Sequence, residues 1–166
     1  MTCPFILPAT LNPPPTGREA VTDAFHRCVQ SFGTNDITLF SSTFLPDAIF
    51  EVNERTMKGL PEIHATGLAL IFSLDTTHLV SNVRVDMTKG KEESEASLTA
   101  TVLSQHFAGG KGLEPGEKNL MGGSLYRGEL KRDVDGLWKF WELKIKSIWM
   151  QGDFSVVGGI PNKEGQ

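Results

Sequence analysis

Two histidines at strand spacing are where this sequence offers chemistry. His78 opens the run His78-Leu79-Val80-Ser81-Asn82-Val83-Arg84, and His106 closes Leu98-Thr99-Ala100-Thr101-Val102-Leu103-Ser104-Gln105-His106. Side chains alternate along a strand, so Leu98, Ala100, Val102, Ser104 and His106 share one face. That face is small and apolar and turns polar at its end, the profile of a pocket wall with a reactive group at depth. An imidazole titrates near neutrality and passes protons in either direction, so the chemistry expected is general acid–base catalysis with His106 as base. His78, Asn82 and Tyr126 are candidates to stabilise the oxyanion formed when a proton leaves a carbon beside a carbonyl. Periodicity runs against His78, because Leu79, Val83, Val85 and Met87 form the more apolar face of its strand. A pocket that wants polar groups, or a bulge in the strand, removes the conflict.

Other chemistries lack their residues. The segment Gly109-Gly110-Lys111-Gly112 does not have phosphate-loop spacing, and there is no Gly-x-Ser-x-Gly elbow. His26, His64, His78 and His106 form no pair at metal-binding helical spacing, and no Cys-x-x-Cys occurs. No metal or organic cofactor is therefore expected. Cys3 and Cys28 read as two unpaired thiols in a reducing compartment, which places the protein in the cytoplasm. A net charge of -4 and a pI near 5.6 leave no footprint for nucleic acid or an anionic membrane. No stretch approaches the roughly 20 apolar residues of a membrane helix. The apolar opening lacks a basic start and is broken by Pro4 and Pro8, so a secretory leader is not expected.

The chain of 166 residues suits one domain. Residues 1–16, with Pro13-Pro14-Pro15, read as an extended arm, residues 17–153 as the folded domain, and residues 154–166 as a tail. A first helix from Gly17 to Gly33 carries Val21, Phe25, Cys28, Val29 and Phe32 on one face. Thr34-Asn35-Asp36 offers caps for a short second helix through Phe44. A strand over Ala48–Val52 follows, and Leu60-Pro61-Glu62 opens a third helix to about Leu74. Strands are expected over Thr77–Met87, Ala96–Phe107, Ser124–Val134 and Leu137–Met150, with Asp135-Gly136 turning the last hairpin. Helices first and long antiparallel strands afterwards indicate an α+β fold. Trp141, Leu143, Ile145 and Trp149 alternate onto one apolar face of the last strand. The Gly-rich connection Ala108–Gly123 and the apolar tail (Phe154, Val156, Val157) either close a pocket together or are a mobile loop and a frayed end.

The run His78 to Asp86 resembles the first histidine strand of scytalone dehydratases, with His106 where that family keeps its second histidine. Val134-Asp135-Gly136-Leu137-Trp138-Lys139-Phe140, then Leu143-Lys144 and Trp149, is similar to its closing hairpin and last strand. From about Glu19 to Phe154 the chain resembles the wider SnoaL-like, or nuclear transport factor 2-like, superfamily. The resemblance implies a cone-shaped barrel, a curved and mostly antiparallel mixed sheet wrapped around N-terminal helices and a central pocket. It makes His106 the main base and His78 a second polar anchor. Leu143, Ile145, Trp149 and Phe154 would line the pocket, together with Phe32, Phe50 and Val102. The chain departs from the dehydratase pattern in having Phe32-Gly33 at a Tyr-Asp pair and Val52 at a second tyrosine. Asp36 is the nearest replacement for the missing carboxylate, and is equally a helix cap.

These readings converge on a cofactor-independent dehydratase, isomerase or cyclase. Its substrate would be a small apolar cyclic molecule, a polyketide- or terpenoid-like intermediate, and the protein a homo-oligomer, dimer or trimer. Two rivals stand beside it: a non-catalytic binding or dimerisation module, and a pericyclic-type cyclase that only shapes its substrate.

Overall fold

A computed structural model of the chain describes residues 4–87 and 94–159. Cys3 and Ile160-Pro161 lie outside the described residues. Among the described residues before Gly17 there is no helix or strand. Helix α1 (Gly17–Thr34) buries Val21, Ala24, Phe25, Cys28, Val29 and Phe32, and ends where Asn35 takes a left-handed φ of 53°. Helix α2 spans only Ile37–Ser41. It stops short of Phe44 because Phe44 enters strand β1 (Phe44–Val52) and pairs with Phe140.

Strand β2 (Arg55–Lys58), which sequence periodicity did not reveal, returns antiparallel to β1 through Asn53-Glu54, both at positive φ as a two-residue hairpin requires. The expected third helix is divided into α3 (Leu60–Glu62), a π-helical stretch (Ile63–Leu68) and α4 (Ala69–Ile71). Long strands β3 (Leu74–Asp86), β4 (Glu95–Ala108), β5 (Asn119–Arg132) and β6 (Trp138–Gly152) follow. A 3₁₀ turn over Phe154–Val157 ends the described chain.

The six strands form one unclosed, curved sheet in the order β2-β1-β6-β5-β4-β3. β1 and β6 run parallel and every other neighbour is antiparallel, so the sheet is mixed. The fold is α+β, a cone with α1 laid across its concave face. Phe25 packs edge-on against both Tyr126 and Phe140, at ring-centroid distances of 5.5 and 6.4 Å. Arg27, on the same helix, is buried and fully engaged. It donates to Asp23 (2.9 Å), to the carbonyl and hydroxyl of Ser42 (2.8 Å each), and to the Trp138 carbonyl (3.0 Å). One guanidinium therefore ties α1 to the end of α2 and to the start of β6.

Single extra residues decide which side chains face inward. In β3 the register shifts between Ser81 and Arg84, and Asn82 sits there at φ 51°. Ahead of the bulge His78 and Val80 point into the cone; beyond it Val83, Val85 and Met87 do. The bulge resolves the conflict in the periodicity and turns Asn82 outward, where its amide meets the Thr101 hydroxyl at 3.4 Å. Asn82 is therefore corrected from a site residue to a bulge residue. Two similar shifts in β6 leave Trp141 and Ile148 without a partner in β5. Leu143 and Ile145 stay inside, while Trp141 and Trp149 turn out.

The β5 boundary also moves. Leu120-Met121 and Gly122-Gly123 belong to β5, so the connection is shorter than expected and these glycines are not hinges. A Cβ on Gly123 would run into the Trp149 indole nitrogen, so the missing side chain is what lets that ring lie across the outer face of β5.

Asn tolerates the left-handed region and a β-branched residue does not. Asn82→Val should lower stability by about 1–2 kcal/mol in urea unfolding, while Asn82→Gly should stay near wild type. Equal stability of both variants would show that the bulge does not depend on residue 82.

Candidate functional site

The open end of the cone, past the last turn of α1, holds a cavity of about 540 Å³. Phe32, Phe40, Phe50, Leu68, Ile71 and Ile145 supply most of its apolar wall. His78, Ser104, His106, Ser124 and Tyr126 gather at one side of it. Phe154, Val157, Gly158 and Gly159 close over the cavity from the tail, where the Asp153 carboxylate caps the 3₁₀ turn by accepting from the Ser155 N–H. The connection after Ala108 contributes nothing to the lining. Asp75, on the strand face opposite His78, holds it away by accepting the Gly112 N–H at 2.8 Å.

The two imidazoles meet because Thr76 pairs with His106 across the ladder and His78 with Ser104. Their ring centroids are 5.3 Å apart, at an interplanar angle of 69°. Phe32 covers the far side of His78 at 5.1 Å. His106 is only 7% exposed. Thr76 Oγ1 lies 2.8 Å from His106 Nδ1, 3.0 Å from the Gln105 carbonyl and 3.4 Å from His78 Nδ1; when its single proton goes to the carbonyl, it accepts from His106 Nδ1. Nδ1 then carries the hydrogen and Nε2 is the free base. Ser104 Oγ lies 3.1 Å from Nε2 and 3.4 Å from the Gly122 carbonyl. Its proton has a second acceptor, which leaves Nε2 available to a substrate.

Burial keeps both rings neutral. Desolvation, followed by the neighbouring His106, pushes the His78 pKa down to about 3, and desolvation lowers that of His106. Tyr126 lines the same wall, and its hydroxyl makes no hydrogen bond among the described residues. Burial, then the nearby Cys28 thiol, raises its pKa, so it stays a protonated donor. Cys28 itself is pushed up to about 12 by burial and is inert as a nucleophile. No cluster of three or more metal-ligating side chains occurs among the described residues.

Of the residues picked from sequence, the structure brings His78, His106, Tyr126, Phe32, Phe50, Ile145 and Phe154 to the cavity. It places five elsewhere. Asp36 is the N-cap of α2, accepting from Leu39 N–H at 2.8 Å, and is a cap rather than a histidine partner. Asn82 is on the bulge described above. Val102 and Leu143 are in the packed core, at the end of the concave face that α1 fills. Trp149 is on the outer face, 44% exposed, because the extra residue at Ile148 reverses the alternation. Sequence reasoning missed Thr76, whose role follows only from the β3–β4 register, and Arg55, whose strand was not recognised.

The family model for the SnoaL-like domain matches residues 16–144. This chain belongs to the SnoaL-like family. A curated relative, the terrestric acid biosynthesis cluster protein E of Penicillium crustosum, is 40% identical over 153 residues, covering 92% of this chain and 96% of the relative. Among solved structures, a type 2 hexachlorocyclohexane dehydrochlorinase superposes with a TM-score of 0.68 at 17% identity, over 89% of this chain and 94% of the other. A candidate scytalone dehydratase from Novosphingobium aromaticivorans gives 0.69 at 18% identity, over 89% and 95%. Those two likenesses establish the cone fold.

The neutral His78 carries a stability signature. Its folded pKa lies below the unfolded value near 6.5, so between about pH 3 and 6.5 the unfolded chain binds more protons and stability rises with pH. Acidifying from pH 7 to pH 4 should cost about 3 kcal/mol through this group alone. His78→Phe, which keeps the ring packing against Phe32, should flatten that part of the slope in urea unfolding at the two pH values. An unchanged slope would mean that His78 is not buried neutral.

Proposed function

We propose that the protein is a cofactor-independent lyase or isomerase of secondary metabolism, acting by histidine acid–base catalysis on a small, largely apolar polyketide- or terpenoid-like intermediate. The observation that carries this reading is His106: a buried neutral imidazole, bonded at Nδ1 to Thr76, on the wall of a cavity that a tyrosine also lines. The biosynthetic-cluster relative at 40% identity supports the metabolic setting.

In the proposed reaction Nε2 takes a proton from a carbon next to a carbonyl. The C–H electron pair moves to form the enolate, and the oxygen accepts a hydrogen bond from Tyr126 or His78. Collapse of the enolate with loss of a β-hydroxyl, which takes the proton back from His106, releases water and gives a lyase. Return of the proton to a different carbon gives an isomerase, and attack of the enolate carbon on an internal carbonyl, whose π pair moves to oxygen and takes the proton from His106, closes a ring. The apolar wall fixes the substrate conformer and keeps bulk water from the enolate.

A strain lacking the gene should accumulate the substrate, which the purified protein should convert after exhaustive chelation, with a mass loss of one water for elimination and none for isomerisation or ring closure. His106→Ala should lower kcat by about 10²–10⁴-fold while the variant stays folded. Because burial lowers the His106 pKa and the base must be neutral, the acid limb of kcat/KM should lie below the ordinary histidine value of about 6.5. Thr76→Val should reduce kcat with little change in KM, and Thr76→Ser should restore it. Full activity in His106→Ala would remove acid–base catalysis and leave substrate shaping or simple binding.

A further inference from the structure

We infer that Arg55 is a carboxylate anchor and that the molecule bound in the cavity is an organic acid, its charged group held at the β1–β2 hairpin and its apolar body directed at the histidines. The inference deepens the proposed function, since it takes the cavity to be the substrate site.

The alternation of a short hairpin carries the argument. Phe50 pairs with Met57 and Val52 with Arg55, and all four line the cavity. Thr56 and Lys58 take the opposite face of β2, so the solvent side of the strand already has its cation. Arg55 is exposed on this edge strand, at the cavity wall next to Val52 and Met57. Among the described residues lining the cavity, Arg55 carries the only permanent charge and no carboxylate is present. Arg55 makes no hydrogen bond or ion pair among the described residues, although Glu54 adjoins it in sequence and Glu62 is engaged with the Lys58 N–H nearby. Its planar fork of N–H donors matches the two oxygens of a carboxylate.

The hairpin that carries Arg55 is held in place. Asn53 donates its backbone N–H to the Ile145 carbonyl (2.9 Å), donates its amide to Ser147 Oγ (3.0 Å) and accepts the Ser147 N–H (2.8 Å). The turn is thereby bonded to β6, the strand that brings Ile145 and Ser147 to the cavity wall. The cavity lining thus holds one cation, on β2, and one neutral base, on β4, among mostly apolar side chains. A substrate that fits both has an acid group at one end and a carbonyl at the other.

Binding of aryl and alicyclic carboxylic acids, each compared with its neutral primary amide by calorimetry, tests the assignment. The wild-type protein should prefer the acids by about tenfold or more, with the preference shrinking as salt is added. Arg55→Gln should abolish that preference without weakening the amides, and Lys58→Gln, a cation on the solvent side of the same strand, should retain it. Absence of any acid preference in the wild type, or its survival in Arg55→Gln, would overturn the proposal. The acid–base reading is judged separately, by turnover in His106→Ala.

Discussion

A sheet can wrap a helix and still leave a cavity only if its inward face changes character along each strand, and here one-residue bulges make that change. Strict alternation would have carried one set of side chains inward for the whole length of β3 and β6. The extra residue at Asn82 lets β3 present His78 and Val80 at one end and Val83, Val85 and Met87 at the other. The shifts in β6 place Leu143 and Ile145 inside between Trp141 and Trp149, which face out. Bulges also bend the bulged strand and raise local twist, so the same residues that select the facing supply curvature. Packing of α1 and the position of both histidines depend on this.

The polar end of the cavity is built from few groups, and each is accounted for. Thr76 has one proton and three neighbours, the Gln105 carbonyl and the Nδ1 atoms of His78 and His106, and giving it to Gln105 places a hydrogen on His106 Nδ1. A carboxylate in that position would hold the ring just as well and would also stabilise the imidazolium, raising its pKa. A threonine orients without adding charge. The pair of imidazoles therefore stays neutral in a low-dielectric setting, which two adjacent cations could not tolerate.

Much of this architecture was legible in the chain. The order of helices and strands, the apolar face of α1 and the two histidine strands all follow from periods of 3.6 and 2, which long elements repeat often enough to read. The failures have a common cause. Val102 was assigned to the pocket from the face it shares with His106, and Leu143 and Trp149 from the family resemblance, but a shared face does not say where along it a helix stops filling the space. Trp149 failed a second way, through a bulge that leaves no local composition signal. Asp36 was correctly seen as a capping residue, and its alternative as a histidine partner falls to the Leu39 hydrogen bond. Thr76 and Arg55 were invisible because one needs strand register and the other lies in a four-residue strand, too short to show a period.

A base with a depressed pKa is at first sight poorly suited to removing a proton from carbon, and the proposed reaction turns on how the cavity offsets this. Desolvation penalises an isolated imidazolium, but the step that forms one also forms an enolate a few ångströms away. At an effective dielectric near 20, opposite charges about 4 Å apart attract by about 4 kcal/mol, which works against the desolvation that lowers the His106 pKa. The same attraction is absent in the resting site, where water-mediated protonation of His106 would bring no partner anion. Burial therefore suppresses the unproductive charged state more than it opposes the productive ion pair. A protonated Tyr126 then favours the enolate further, because it donates to an oxygen whose charge grows during the step and needs no proton to leave the tyrosine. The reaction so catalysed is one in which charge appears in pairs and is extinguished in pairs, which is the common feature of elimination, double-bond migration and enolate ring closure. On this chemistry the choice among the three falls to the apolar wall, because the conformer it holds decides which atom the enolate meets.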